Sequence, residues 1–129
     1  MELPGLVLGG DHDTGGYIVT TFAIAPGREE QAGRDVLACL AAGLEVALPN
    51  DLDEGGEGST SFRRTGAGLV RRIGGHGWQS GWRPVSESDV LAAVAELAAR
   101  PDWRGSLRQD KGPPNKALHL TWPQGRPRR

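Results

Sequence analysis

The 129 residues include a single cysteine, Cys39, which excludes an internal disulfide. Cys39 lies in a helical pattern, where a cysteine packs as a small apolar group. The sequence also lacks an apolar run long enough to cross a membrane. Residues 1–4 lack the basic and apolar regions of a signal peptide. These absences predict a cytoplasmic protein without a membrane partner.

No catalytic or metal-binding motif with a recognisable mechanism is present. Residues 10–15 have the glycine spacing of a phosphate-binding loop, but Gly16 stands where the lysine belongs. Asp11, His12 and Asp13 are potential metal ligands, yet adjacent residues seldom converge on one ion without distant partners. A plain turn is the favoured interpretation, and a bound ion is the alternative. No catalytic residue, metal or cofactor is therefore predicted, and an enzyme ranks third among the functional hypotheses.

The most informative stretch begins with a predicted hairpin over residues 60–73, where two β-prone runs flank a glycine-containing turn. The register follows if Arg64 pairs with Leu69. Because side chains alternate along a strand, one face of the hairpin is then apolar and the other mostly faces water. The apolar face holds Phe62, Leu69 and Ile73, and the water-exposed face holds Ser61, Arg63, Val70 and Arg72.

A glycine-rich segment, residues 74–84, follows the hairpin and carries two tryptophans and an arginine. Its glycines allow tight turns, so something must hold the two large rings in place. One interpretation is that both rings plug the end of a small core. The other is that they anchor a partner protein or stack on single-stranded nucleic acid. With the hairpin arginines, the candidate binding residues are Arg63, Arg72, Trp78, Trp82 and Arg83.

The remaining elements follow from hydrophobic spacing. Residues 6–8 and 17–24 are predicted strands that form a first hairpin. Residues 28–48 are a predicted helix, because apolar side chains recur every four positions. A second helix begins after Ser86, which can cap it with Asp89, three residues later, as a weak capping box. It ends before Pro101, which cannot continue it.

This order of hairpin, helix, hairpin and helix predicts a single α+β domain over residues 1–108. Its two layers are an antiparallel sheet of about four strands, in ββαββα order, and two helices on one face of that sheet. Val94 lies in the middle of the apolar stripe of the second helix, so we expect it to be buried. Residues 109–129 are rich in proline, glycine and basic side chains, which predicts a flexible basic tail.

The net charge of −1 conceals an asymmetry along the chain. Residues 1–59 carry 11 acidic and 2 basic side chains, whereas residues 60–129 carry 13 basic and 5 acidic ones. The favoured interpretation is that the two halves neutralise each other, with the hairpin arginines either paired to the acidic loop over residues 51–57 or simply solvated. The alternative is that the basic half presents a patch to a polyanion or to an acidic partner.

Residues 113–121 resemble a tail found on unrelated predicted reading frames of high-GC bacteria, which implies no functional family. Size and architecture favour a small bacterial binding module, adaptor-like or immunity-like. It would contact another protein through the second hairpin and the glycine–tryptophan segment. A nucleic-acid-binding module that uses the hairpin arginines is the second hypothesis. The sequence predicts no oligomeric state.

Overall fold

The computed structural model describes residues 1–53 and 55–110, which form one antiparallel sheet and two helices. The strands are β1 (Leu6–Asp13), β2 (Tyr17–Ile24), β3 (Glu45–Asn50), β4 (Gly58–Thr65), β5 (Gly68–Gly75), β6 (Trp78–Gln79), β7 (Arg83–Pro84) and β8 (Gly105–Asp110), and the helices are α1 (Glu29–Ala41) and α2 (Glu87–Ala98). The strand order across the sheet is β1-β2-β8-β3-β4-β5-β6, and β7 also pairs with β5.

The predicted fold class is wrong in both the number and the order of the strands. The sequence predicts about four strands in ββαββα order, whereas the described chain has eight strands in one sheet and two helices. The domain is therefore mostly sheet. Two strands account for much of the difference. β3 lies where the sequence predicts the end of a helix, and β8 lies beyond the second helix in a stretch with no clear pattern.

Helix α1 ends at Ala41, well before the predicted end at residue 48. Gly43, with φ at +93°, adopts the left-handed conformation that ends many helices. Its N–H donates to the carbonyl of Leu40, and the N–H of Leu44 donates to the carbonyl of Cys39, both at 3.0 Å. These two bonds form a Schellman motif, so the glycine ends the helix and does not merely weaken it.

After this cap the side chains alternate between buried and half-buried, which is the period of a strand. Val46 and Leu48 face the core, and Ala47 faces away from it. Leucines 40, 44 and 48 are all buried, but the first lies in α1, the second follows the cap and the third lies in β3. Their spacing of four residues therefore arises from two elements and predicts one long helix incorrectly.

Strand β8 lies between β2 and β3 at the centre of the sheet, although its sequence has little β-propensity. Leu107 is its only large apolar side chain. Gly105 allows close passage of the ring of Phe22, because a Cβ at that position would overlap the ring. The strand also includes Gln109 and Asp110, the first two residues of the predicted tail. The remainder of that tail, residues 111–129, lies outside the described residues.

Both predicted hairpins are present, and the register of the second is confirmed by the pairing of Arg64 with Leu69. In the first hairpin, β1 extends to Asp13. A bulge between Leu8 and Asp11, at the two glycines that follow Leu8, shifts the register and lets the pairing with β2 continue. The outer side of β5 is covered by the segment from Trp78 to Val85, which supplies β6 and β7.

The helices cover one face of the sheet and form the core with it. A capping box of Ser86 and Asp89 begins α2, as predicted, and α2 packs against α1. Val94 is buried, which confirms its predicted position. The opposite face of the sheet is covered by no element of the described chain, and we name it the open face. The large buried side chains include Leu6, Phe22, Val36, Leu40, Val46, Phe62, Val90, Val94 and Leu107.

We expect Val94→Asp to unfold the domain or to destabilise it by about 3–5 kcal/mol, because it places a carboxylate in an apolar core without a partner. Val94 is 1% exposed, whereas Ala92, two residues earlier on the same helix, is exposed. Ala92→Asp is therefore the matched control and should leave the free energy of unfolding within about 0.5 kcal/mol of wild type. Chemical denaturation of both variants measures the difference. A cooperatively folded Val94→Asp protein with wild-type stability would contradict this packing.

Cys39 provides a prediction for alkaline pH. Burial, and to a lesser extent the nearby Asp35 carboxylate, raise the pKa of the Cys39 thiol from 9.0 to about 12. In the unfolded chain the thiol ionises from about pH 9 upwards, so the folded state holds one more proton than the unfolded state between these two values. Folding stability should therefore fall as pH rises through this window, by up to about 1.4 kcal/mol per pH unit from this group alone.

Cys39→Ala is the control, because it removes the ionising group and leaves the remaining alkaline titrations in place. The difference in unfolding free energy between wild type and Cys39→Ala should be constant below pH 9 and should shift against wild type above it. A difference that is independent of pH up to the alkaline limit would show that the thiol titrates equally in both states.

Candidate interaction surface

The sheet register distributes the five predicted binding residues over two faces. Arg63 and Arg72 alternate with side chains that face the helices, so both lie on the open face. The ring of Trp82 contacts both of their guanidinium groups and lies on the same face. Trp78 and Arg83 lie on the helix side of the sheet. They pair with Gly75 and Arg71 of β5, and both of these residues lie on the face of β5 that is turned towards the helices.

Arg63, Trp82 and Arg72 form a compact group, which we name the Arg–Trp–Arg cluster. The Cζ atom of Arg63 lies 4.1 Å from the centroid of the Trp82 ring, and the Cζ atom of Arg72 lies 4.5 Å from it. Each contact has cation–π geometry and contributes about 0.5–1 kcal/mol at a partly exposed site. Trp82 is half-buried, so it is held by the two arginines and does not fill the core between sheet and helices.

The positive charges of this cluster are not neutralised within the described part of the chain. Neither Arg63 nor Arg72 forms an ion pair within 4.0 Å with a described acidic residue. The described acidic residues of the loop over residues 51–57 therefore form no ion pair with these two side chains. The loop carboxylate of Asp51 instead binds Arg100 at 2.5 Å, and Glu57 lies 3.7 Å from His76.

Trp78 is held by the acidic loop, which explains how a large ring stays ordered in a glycine-rich turn. Its Nε1–H donates to Oδ1 of Asp53 at 2.8 Å, and the same oxygen accepts the backbone N–H of His76 at 3.2 Å. The other oxygen, Oδ2, accepts the N–H groups of Gly55 and Glu57. The hydrogen bond from Trp78, supported by these backbone N–H groups, holds the pKa of Asp53 below its usual range.

Arg83 is exposed and lies opposite Arg71 in the pairing of β7 with β5. Two like charges in register repel each other, so this pair weakens the edge slightly. Asp89 at the start of α2 offsets part of this repulsion, because its carboxylate attracts the charge of Arg71. The pKa of Asp89 is lowered mainly by its hydrogen bonds with Ser86 and in part by the charge of Arg71. Arg83 thus lies at the edge formed by β5 and β7, on the helix side and away from the Arg–Trp–Arg cluster.

The open face contains further residues that the sequence did not reveal as site residues. The guanidinium of Arg108 on β8 lies 3.8 Å from the centroid of the Tyr17 ring on β2, and its Nε donates to Asp110 at 3.2 Å. Glu45, the first residue of β3, pairs with Arg108 across the sheet. Only the sheet pairing could bring these residues together, because β8 is not predictable from its own sequence.

Small side chains form the centre of the open face. In one row across the sheet, Thr21 pairs with Ser106, Ser106 with Ala47 and Ala47 with Ser61. Arg72 pairs with Ser61 and ends the row. Beside this flat floor of small side chains, the guanidinium and aromatic groups and the carboxylate of Glu45 are the charged and aromatic features of the open face.

The described residues bring together no site for metal chemistry. Alternation along β1 separates His12 from Asp11 and Asp13, and no group of three metal-binding side chains occurs in the described ranges. A cleft of about 460 Å³ lies between the β2–α1 and α2–β8 connections, beside Trp103. A second cleft of about 290 Å³ lies between the helices beside Leu91. Neither cleft is lined by a histidine or a cysteine.

No helix of the described chain combines the length and the apolar character needed to cross a membrane. The chain matches no protein-family model, no curated protein and no solved structure.

Asp53→Ala should release the ring of Trp78, because it removes the acceptor for the indole and for three backbone N–H groups. The indole Nε1–H resonance of Trp78, assigned with Trp78→Phe, should exchange with water faster in Asp53→Ala than in wild type. Asp51→Asn is the control, since Asp51 binds Arg100 and not the tryptophan. Unchanged exchange in Asp53→Ala would contradict the assigned anchor.

The same resonance has a predicted pH dependence. Because the pKa of Asp53 is lowered in the folded state, its stabilising contribution is complete above the usual carboxylate range and is lost as pH falls through the folded pKa. The resonance should therefore stay constant across neutral and mildly acidic pH and move only at strongly acidic pH.

Proposed function

We propose that the chain is a small interaction module that binds another protein through the open face of its sheet. The observation that carries this proposal is the Arg–Trp–Arg cluster: two guanidinium groups stacked on one indole ring, without a described carboxylate within 4.0 Å of either. Arginine and tryptophan are enriched among the residues that dominate binding energy at protein interfaces.

Stacking supports this role because it orders the arginine side chains before a partner arrives. A free arginine loses about 2 kcal/mol of rotamer entropy when it is fixed, and a guanidinium already held against a ring loses less. The planar fork of each guanidinium is directed by the ring, so a carboxylate can accept two parallel hydrogen bonds from it. We therefore propose that the partner presents acidic side chains to the cluster.

The module would also gain association rate from its charge. The open-face arginines stand on a domain that is otherwise acidic, so the positive potential is local and directs an acidic patch to this face. The flat floor of small side chains beside the cluster permits close contact over several strands. These features favour a folded partner surface over a deep-bound small molecule.

Nucleic acid is the second candidate, and it is supported by the position of a tryptophan–arginine stack on an uncovered antiparallel sheet. Two observations favour protein. The hairpin arginines are divided between the two faces of the sheet and do not form one basic stripe. Residues 1–110 carry 10 of the 15 basic side chains and all 16 acidic ones, which gives a net charge of −6 for this part of the chain. Nucleic-acid-binding domains are usually basic.

The test is a charge reversal with a matched control. Arg63→Glu/Arg72→Glu reverses both cluster arginines, and Arg64→Glu/Arg83→Glu makes the same change in net charge at two exposed arginines outside the cluster. A photo-crosslinking residue at Ser61, on the open face, should capture a protein partner in a lysate of the source cells. Capture should fall at least about tenfold in the first double variant and less than about twofold in the second.

Specificity is established by exchanging charges. Once a captured partner is identified, replacing its contacting acidic residues with lysine should restore binding to Arg63→Glu/Arg72→Glu. Equal capture by both double variants would contradict the proposal. Salt-sensitive binding of a labelled oligothymidylate that requires Arg63 and Arg72, without any captured protein, would assign the face to nucleic acid instead.

A further inference from the structure

Glu45 occupies a position on the open face that the proposed function does not use. Its neighbours in β3, Val46 and Leu48, are buried against the helices, so Glu45 points to the open face and is half-buried there. It pairs with Arg108 on one side. On the other side, the register that pairs Val46 with Phe62 places Glu45 level with Arg63.

Glu45 thus lies between two arginines, yet it binds neither of them. No hydrogen bond or ion pair to its carboxylate occurs among the described residues, and the two guanidinium groups point elsewhere. Arg63 stacks on Trp82, and Arg108 stacks on Tyr17 and bonds to Asp110. Within residues 1–53 and 55–110, a negative charge therefore remains unpaired beside the positive cluster, about 5 Å away at the backbone.

We infer that Glu45 determines which partner the open face accepts. The partner this surface fits presents a lysine or arginine next to the carboxylates that bind Arg63 and Arg72, and a surface with negative charge alone is rejected. This inference rests on the proposed function, since it concerns the specificity of the same face. Opposite charges in a partner would satisfy the cluster and Glu45 together, whereas a polyanion would place a negative group against Glu45.

The spacing of these charges specifies the partner element further. Glu45 and Arg63 lie on adjacent strands, so their Cα atoms are separated by about 5 Å. Side chains four positions apart on a helix have Cβ atoms about 5–6 Å apart. An exposed helix that carries glutamate and lysine at that spacing, laid across the strands, therefore presents a carboxylate to Arg63 and an ammonium group to Glu45 at matching distances.

Desolvation of Glu45 disfavours partners without a cation at this position more than it favours partners with one. An unpaired carboxylate that is covered by a partner loses its hydration without compensation, which costs free energy unless a cation meets it. Rejection of unsuitable partners by such a group is a common source of specificity, because affinity for the correct partner and repulsion of others add to the difference in binding free energy. Glu45 is suited to this role because it is half-buried before any partner binds.

The experiment uses three helical peptides that are identical except at one position. Each carries glutamates four residues before and after a central residue, which is lysine, glutamine or glutamate. Titration of the full chain is followed by NMR shifts of open-face amides. Wild type should bind the lysine peptide at least about threefold more tightly than the glutamine peptide, and the glutamate peptide most weakly.

Glu45→Gln should abolish this preference, and Glu30→Gln should keep it. Glu30 is an exposed carboxylate in the first turn of α1, on the helix side, so its removal makes the same change in net charge away from the open face. Wild type and Glu45→Gln, each measured with the lysine and the glutamine peptide, form a double-mutant cycle between Glu45 and the central residue of the peptide. Thermal melts of both variants verify that they are folded.

A labelled oligothymidylate provides the second measurement. At low salt, Glu45→Gln should bind it at least about threefold more tightly than either wild type or Glu30→Gln, because a repulsive charge has been removed from the basic face. An unchanged affinity in Glu45→Gln would overturn the inference. Retention of the lysine preference by Glu45→Gln would also overturn it.

Failure of the inference is distinguishable from failure of the proposed function. If all three peptides shift open-face amides equally and the shifts are lost in Arg63→Glu/Arg72→Glu, the face binds acidic helices without selection by Glu45. In that case the proposed function survives and the inference does not. If no peptide shifts any open-face amide, both are overturned.

Discussion

The pairing of β8 with β2 and β3 is the contact on which the sheet depends. It joins a hairpin near the start of the chain to the five strands that follow α1, β3 to β7, and it does so with a strand from residues 105–110. Without β8, β2 and β3 would each expose a row of unpaired backbone groups at the centre of the molecule. The same strand sets the register of the open face, because it places Arg108 between Tyr17 and Glu45.

The sequence predicts the locally determined features well. The register of the second hairpin, the capping box of α2 and the burial of Val94 all follow from short-range patterns. In each case the determining residues are close in sequence, so alternation or helical spacing identifies them. The placement of Arg63 and Arg72 on one face follows for the same reason.

The features that the sequence analysis predicts incorrectly depend on contacts between distant residues or on the backbone conformation of a single residue. Gly43 ends α1 through its left-handed backbone, and the leucine spacing on both sides of it suggests a continuous helix. β8 contains one large apolar residue, and its glycine fits because Phe22 crosses it from another strand. Trp78 and Trp82 are close in sequence but lie on opposite sides of the sheet, since the edge segment that carries them pairs at two separate places. None of these three features is visible in residue type alone.

Among the described residues, some charges of the acidic half pair with the basic half, and the arginines of the Arg–Trp–Arg cluster form no ion pair. Asp51 and Asp53 of the acidic half bind Arg100 and Trp78 of the basic half, so these acids stabilise the packing of loops around the sheet edge. The arginines of the Arg–Trp–Arg cluster instead use an aromatic ring as their neighbour. A ring stabilises a guanidinium without cancelling its charge, because the quadrupole carries no net charge. Among the residues that the structure describes, the cluster arginines therefore keep their charge without an ion pair, and the carboxylate of Glu45 beside them also forms none.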